Sequence, residues 1–326
     1  MTIKGPELNL RILLSLAFLF LLLALGLYLH TRWQSGLIEA GNPPLGRFVE
    51  IDGGRLHYGE VAPAGTPRAT VLLLHGATGN QANMLVPLGA PLAAAGFRVI
   101  AIDRPGHGWS DRIKGRDAAS PAVQATLIVA AMRKLGVGRA IVVAHSLAGV
   151  VATNLALDHA DFTQGLVLVS PVTHPWPGGV AAYYTVSASP VAGWLFNNLL
   201  ALPAGRAFSG PATASVFAPD PVPPGFAAAT QTELVLRPRE FGDNAQEVAA
   251  LYDFVVTQAP RLPQIKAPTA IVSGDSDTVV LTHIHSYGSA RDIPGATLKI
   301  LQGVGHAPQF AHAREVVAAV EEVAGR

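Results

Sequence analysis

Residues 140–158 read AIVVAHSLAGVVATNLALD. The stretch opens on a continuous apolar run, Ile141-Val142-Val143. It turns through Ala144-His145-Ser146-Leu147-Ala148-Gly149 and continues as an alanine-rich helical pattern. A buried strand, a tight turn of small residues and a helix make a nucleophile elbow, with Ser146 at its tip. The chemistry needs that geometry, because a serine hydroxyl is a poor nucleophile until it is held within reach of a base. Small residues two before and two after the serine let the turn close without clashes. The commonest form has glycine at both places, whereas this chain has Ala144 and Ala148. An elbow of this kind predicts an oxyanion hole from an earlier strand-to-loop junction, then an acid and a histidine later in the chain, in that order.

Upstream, residues 70–74 form an apolar strand pattern followed at once by His75-Gly76-Ala77-Thr78-Gly79-Asn80. A helical pattern covers residues 83–95. Another buried strand over residues 97–102 ends in Asp103-Arg104-Pro105-Gly106-His107-Gly108-Trp109-Ser110, a loop dense in turn formers. Ser120 then caps a helix with Pro121 at its first position and Gly136 after its end. Earlier still, Phe48-Val49-Glu50-Ile51 and Arg55-Leu56-His57-Tyr58 flank Asp52-Gly53-Gly54, the pattern of a hairpin with a glycine turn. Buried strands alternating with helices predict an α/β fold, a mostly parallel central sheet with helices on both faces.

Downstream, residues 166–170 and 269–273 read as buried strands. The second ends in Gly274-Asp275-Ser276-Asp277, so two aspartates compete for the role of the acid. A strand over residues 297–301 precedes Gly303-Val304-Gly305-His306-Ala307-Pro308, which sets His306 in a glycine-flanked loop before the terminal helix. His312 lies within that helix.

His75-Gly76, the loop from Asp103 to Gly108 and the elbow, in this order and on these elements, resemble the α/β-hydrolase fold superfamily, in its serine-nucleophile, cap-domain, esterase- and lipase-like group. The resemblance covers about residues 46–326. It implies a triad in which His306 is the base on Ser146 and Asp277, the third residue after the glycine, orients His306. Asp275 is the alternative acid. It further implies that the backbone N–H groups of Ala77 and Leu147 form the oxyanion hole, that no cofactor or metal is used, and that residues 171–268 form a helical cap. The hydrolase domain would then run over residues 42–326, with its core in 42–170 and 269–326. Dehalogenases and epoxide hydrolases of this fold carry aspartate at the elbow, and epoxide hydrolases tend to have proline where this chain has Thr78. Both departures point to acyl transfer, most simply hydrolysis of a hydrophobic ester, lactone or lipid-type ester. The alternatives are carbon–carbon bond hydrolysis or cofactor-free haloperoxidase activity by the same triad, or a binding protein that kept the fold and lost catalysis.

Other polar residues have plainer readings. His145 adjoins Ser146, so its side chain should diverge from it. Asp103 and His107 shape a turn. His283 and His285, two apart on a helix, point to different faces and predict no metal site. The insertion is rich in aromatics, among them Trp176, Tyr183, Tyr184, Trp194, Phe196, Phe208, Phe217 and Phe226, with helices expected over residues 192–202 and 244–258. Singly such rings pack the cap onto the core; together they suggest an apolar substrate tunnel or a membrane-facing lid.

Composition narrows the classes. Half of the 326 residues are hydrophobic and 14% are charged, with a formal net charge of +1, no dense basic block and no cysteine. That argues against a nucleic-acid partner and excludes disulfides and thiol chemistry. Oligomeric state is not legible. Residues 12–29, ILLSLAFLFLLLALGLYL, carry no charge. The run is just long enough to cross a bilayer, with Tyr28 and Trp33 placed for the interface. An uncleaved anchor is expected, the rival being a signal peptide cut after Ala24-Leu25-Gly26. Lys4 and Arg11 favour a cytoplasmic N-terminus and a catalytic domain on the outer side, an argument that Arg32 blunts. Gly41-Asn42-Pro43-Pro44 reads as the linker closing an N-terminal segment of residues 1–41.

Overall fold

The computed structural model describes residues 6–326. Its first element is one long helix, α1 (Pro6–Gly41), about 54 Å long at ~1.5 Å per residue. From Leu10 onward α1 is long and apolar enough to cross a membrane, and its apolar window is unburied. The helix does not stop where the apolar run stops. Thr31, Ser35 and Ile38 are buried at helical spacing, and Ile38 packs with Leu202, Leu234 and Leu236. Residues 31–41 are thus a docked helical segment, and the irregular connection is confined to residues 42–46.

The hairpin β1 (Arg47–Ile51) and β2 (Gly54–Val61) follows, then β3 (Thr70–Leu74), α2 (Ala82–Ala94), β4 (Arg98–Ile102), α3 (Pro121–Lys134), β5 (Ala140–His145), α4 (Ala148–Asp158) and β6 (Thr163–Val169). Five helices come next: α5 (Ala182–Ala188), α6 (Pro190–Leu199), α7 (Ala201–Phe217), α8 (Phe226–Ala229) and α9 (Pro238–Gln258). The chain then returns through β7 (Thr269–Gly274), α10 (Thr282–Asp292), β8 (Thr297–Leu301), α11 (Pro308–Ala311) and α12 (Ala313–Ala324).

The eight strands form one sheet in the order β1-β2-β4-β3-β5-β6-β7-β8. The pairs β1–β2 and β2–β4 are antiparallel and the rest are parallel. Side chains alternate between the faces of a strand, and the two cores follow that alternation. Leu72, Leu74, Val142, Ala144, Leu166 and Leu168 face α3 and α4. Val71, Leu73, Ile141, Val143, Val167 and Val169 face Met84, Leu88 and Leu92 of α2 and Val316, Val320 and Val323 of α12. Burial on both faces is what makes β5 a continuous apolar run rather than an alternating one.

Three local expectations need correction. Ser120 stands at the start of α3, but its side chain makes no capping bond; Pro121 and the extended Ser120 backbone set the start instead. The helix expected over residues 192–202 is two helices broken at Leu200, and the one expected over 244–258 begins earlier, at Pro238. The aromatics divide. Phe217 and Phe226 are buried and pack edge-on with each other and with Phe310, whereas Trp194 and Phe208 are 56% and 69% exposed and do not pack the cap onto anything beneath it.

Candidate active site

Ser146 leaves β5 with φ +56, a left-handed conformation rare for a residue with a Cβ. Its N–H is bonded to the Val169 carbonyl, and its carbonyl accepts from Gly149 and Val172. The turn is therefore held from both sides. Ala144 and Ala148 are fully buried, which explains why small residues flank the serine. Gly76 is required for a related reason: a Cβ there would meet the Ser146 Cβ at 2.8 Å and the His145 carbonyl at 3.2 Å.

The three residues expected to act together meet at the carboxyl ends of their strands. His306 Nε2 lies 2.9 Å from Ser146 Oγ, and its Nδ1 lies 2.7 Å from Asp277 Oδ2. With Nδ1–H donating to the carboxylate, Nε2 is free to accept the serine proton. The other Asp277 oxygen accepts the N–H groups of Val279 and Val280, each at 2.8 Å. Burial pushes the Asp277 carboxyl up, but the His306 hydrogen bond and charge and these two N–H groups outweigh it and hold the carboxyl below its usual range. Asp275 lies apart from His306; it is exposed and accepts from the Gly303 N–H and the Ser276 hydroxyl.

Among the described residues, neither the Ala77 nor the Leu147 backbone N–H has an acceptor. Ala77 follows Gly76, which lies against Ser146, and Leu147 follows the serine and opens α4, whose dipole favours negative charge at that end. The loop carrying Ala77 is fixed from the cap. Thr78, at φ +55, donates its N–H to Asn244 Oδ1 on α9 at 2.7 Å.

Sequence reasoning missed three supports. His145 was expected only to diverge from Ser146; it does, and its Nε2 lies 2.8 Å from the His306 carbonyl, to which Nε2–H donates. Burial, then the charge of His306, lowers the His145 pKa to about 3, so it holds the loop as a neutral ring. The cap reaches the same loop: His306 donates its N–H to the Val216 carbonyl at 3.1 Å, and a Cβ on Gly305 would strike the Phe217 and Ala218 carbonyls. The third support is ionic. Arg104, fully buried, bonds the carbonyls of His75 and Gly76 and pairs with Glu247 of α9 at 2.5 Å. His107 and Arg112 join the same carboxylate at 3.1 Å and 2.9 Å, so His107 does more than shape a turn. Burial raises the Glu247 pKa, but Arg104 and His107 outweigh it and hold the carboxyl well below its ordinary value. Asp103 does brace its own loop through the Trp109 N–H, and it also binds the His57 ring and the Gln81 N–H. His283 is exposed and His285 buried; Nδ1 of the latter accepts the N–H groups of Thr173 and His174.

Ser146, Asp277 and His306 are 8%, 6% and 4% exposed, so the helices between β6 and β7 cover them. A surface cavity of about 580 Å³ between Ser120, Val123 and α9 lies elsewhere and is lined by none of the three.

A strained serine at a strand-to-helix turn, covered by an insertion after the sixth strand, defines a class. Residues 69–313 match the family of the α/β hydrolase fold, and the chain belongs to that family and is a hydrolase. It is 28% identical, over 74% of its own length and 83% of the other's, to 2-hydroxy-6-oxo-6-phenylhexa-2,4-dienoate hydrolase of Burkholderia cepacia. Over 127 residues it is 39% identical to the dihydrolipoyllysine-residue acetyltransferase component of the acetoin cleaving system of Cupriavidus necator, matching 39% of this chain and 32% of that one. The chain thus spans about a third of that relative's length. Among solved structures it is similar to an N-acyl homoserine lactone degrading enzyme, with 27% identity, a TM-score of 0.63, and 85% of this chain and 99% of the other covered.

Proposed function

We propose that the protein is a membrane-anchored serine hydrolase acting on an uncharged, hydrophobic ester or lactone. The observation that carries the chemistry is the unbroken chain Ser146–His306–Asp277 beside two unpartnered N–H groups. Ser146 Oγ attacks the carbonyl carbon as His306 Nε2 takes its proton. The negative charge that develops on the carbonyl oxygen is received by the Ala77 and Leu147 N–H groups, roughly 3 kcal/mol of barrier for each donor. His306 returns the proton to the leaving alcohol, and water resolves the acyl-enzyme by the same route. Asp277 orients the ring and stabilises its charged form.

The preference for a neutral substrate is electrostatic. A carboxylate brought to this site needs an unspent cation. The arginines near it are already engaged, Arg104 and Arg112 by Glu247 and Arg237 by Glu240. Residues 171–230, the first half of the cap in the division of the domain into core 42–170 and 269–326 and cap 171–268, hold a single basic side chain other than histidine, Arg206. The second reading is carbon–carbon bond hydrolysis by the same triad. It is favoured by the relative from Burkholderia cepacia, whose named substrate is a dienoate. For the anchor, the reading is a single pass through α1 with the N-terminus inside and the hydrolase domain outside, supported by the apolar length of α1 and by Lys4 and Arg11.

The test is fluorophosphonate labelling of the full chain in detergent. The modified peptide should contain Ser146, and labelling should vanish in Ser146→Ala and His306→Ala. Ester turnover should fall at least ~10³-fold in Ser146→Ala. Parallel assays on p-nitrophenyl esters, a homoserine lactone and a phenylhexadienoate then separate the two readings. Turnover of the dienoate alone would replace the first with the second, and absence of labelling in folded protein would remove both.

A further inference from the structure

The first half of the cap has a surface unlike that of a domain bathed in water. From Ala181 to Ser215 the chain carries one charged side chain, Arg206, yet most of these residues are exposed. On α6, Val191, Trp194 and Leu195 are 76%, 56% and 47% exposed, with Leu200 and Phe208 continuing the patch onto α7. Spacings of three and four put the α6 residues on one helix face. The patch adjoins α1. That helix packs on α6, Tyr28 stacks on Trp194 with ring centroids 6.1 Å apart, and Gln34 accepts from Arg206. The contact stripe on α1 begins at Ala24, Leu27 and Tyr28, which are half-buried, and runs on through Thr31, Ser35 and Ile38.

Length decides where a bilayer must lie. If the hydrocarbon ended before the stripe, only residues 12–23 would remain within it, about 18 Å of helix against a hydrocarbon thickness of about 30 Å. Residues 24–29 have to be immersed for α1 to span, and α6, held against them, is immersed with them. We infer that the exposed face formed by α6 and the start of α7 is a membrane-contact surface, seated in the leaflet from which α1 emerges, with its apolar side chains among the acyl chains. This rests on reading α1 as a membrane span. It gives the apolar patch an occupant, makes Trp194 an interfacial ring of the kind enriched at that depth, and places the lid over Ser146 where an apolar substrate dissolves.

The chain has no cysteine, so single substitutions can each carry a polarity-sensitive fluorophore. The full chain would be labelled at Leu16→Cys, Val191→Cys, Phe208→Cys and, as an exposed control in the loop before β3, Thr66→Cys. Each labelled protein would be placed in phosphatidylcholine nanodiscs with and without lipid bearing a nitroxide on its acyl chain. The expected result is blue-shifted emission, lost to the nitroxide, at positions 16, 191 and 208, with no change at 66. Loss at 16 alone would overturn this inference and leave the span standing. Loss at none of them would overturn the span and this inference with it. Blue-shifted emission at 191 and 208 that ignores the nitroxide but reddens on dilution to one protein per disc would assign the face to a second copy of the chain instead.

Discussion

The two halves of the cap are attached to the rest of the protein by opposite physics. Helix α9 is joined to the core by buried charge: Glu247 meets Arg104, His107 and Arg112, and Glu240 takes the Gly108 N–H, while Asn244 braces the loop carrying Ala77. Helix α6 and the middle of α7 carry almost no charge and leave Val191, Trp194, Leu195 and Phe208 exposed, although Leu202 and Phe217 at the ends of α7 are buried. Buried ion pairs are directional and unforgiving; an apolar surface is neither. The difference teaches that α9, like the C-terminal end of α7 whose Val216 carbonyl holds the His306 loop, belongs to the frame around Ser146, while α6 and the middle of α7 are the part free to answer to a lipid surface or a substrate.

The largest expected effect breaks the α9 side. Glu247→Ala strands two buried guanidinium groups and should cost about 3–5 kcal/mol in denaturant unfolding. A fall of less than ~1 kcal/mol would mean the network is slack. A second effect, spread over several pH units, comes from acid. Burial foremost lowers the pKa of His75, takes His145 to about 3 and takes His285 to about 4. A folded-state pKa below the ordinary histidine value of 6.5 means the unfolded chain binds the proton better. The stability these neutral rings confer is therefore complete above about pH 6.5 and lost as pH falls through about 4 and then 3. The slope should approach ~1.4 kcal/mol per pH unit for each ring, and His145→Gln should remove one ring's share of it. A titration that is flat between pH 6 and 4 would contradict the burial of these rings. The smallest effect lies on the other half of the cap. Trp194→Ser should change unfolding in detergent by no more than ~0.5 kcal/mol; a larger loss would show that the patch is packed rather than presented.

The elbow, the His75-Gly76 loop and the order of serine, acid and histidine were legible because each is local: a strand, a turn and a few residues after it. Asp277 and Asp275 were separable only by resemblance until the hydrogen bond to His306 distinguished them. The parts that escaped depend on distant segments meeting. Nothing in the sequence pairs Glu247 with Arg104, Asn244 with Thr78, or Val216 with His306. The docked end of α1 escaped for another reason. Its stripe of Thr31, Ser35 and Ile38 is correctly spaced, but two of its three residues are polar, and a search for apolar periodicity passes over them. The aromatic cap was read as a choice between packing on the core and forming a substrate tunnel or membrane-facing lid, and the structure divides it between Phe217 and Phe226, which are buried, and Trp194 and Phe208, which stay largely exposed, Trp194 with Tyr28 of α1 stacked on it.

The positive φ of Ser146 makes the proposed nucleophile a residue that glycine would fit with less backbone strain. Glycine adopts that conformation freely, whereas a side chain there costs of order 1–3 kcal/mol. A chain selected for robustness alone would drift to glycine at this position and lose its hydroxyl. The serine clamped there by Gly149, Val169 and Val172 therefore carries a backbone strain for which the proposed attack by its hydroxyl is the physical reason.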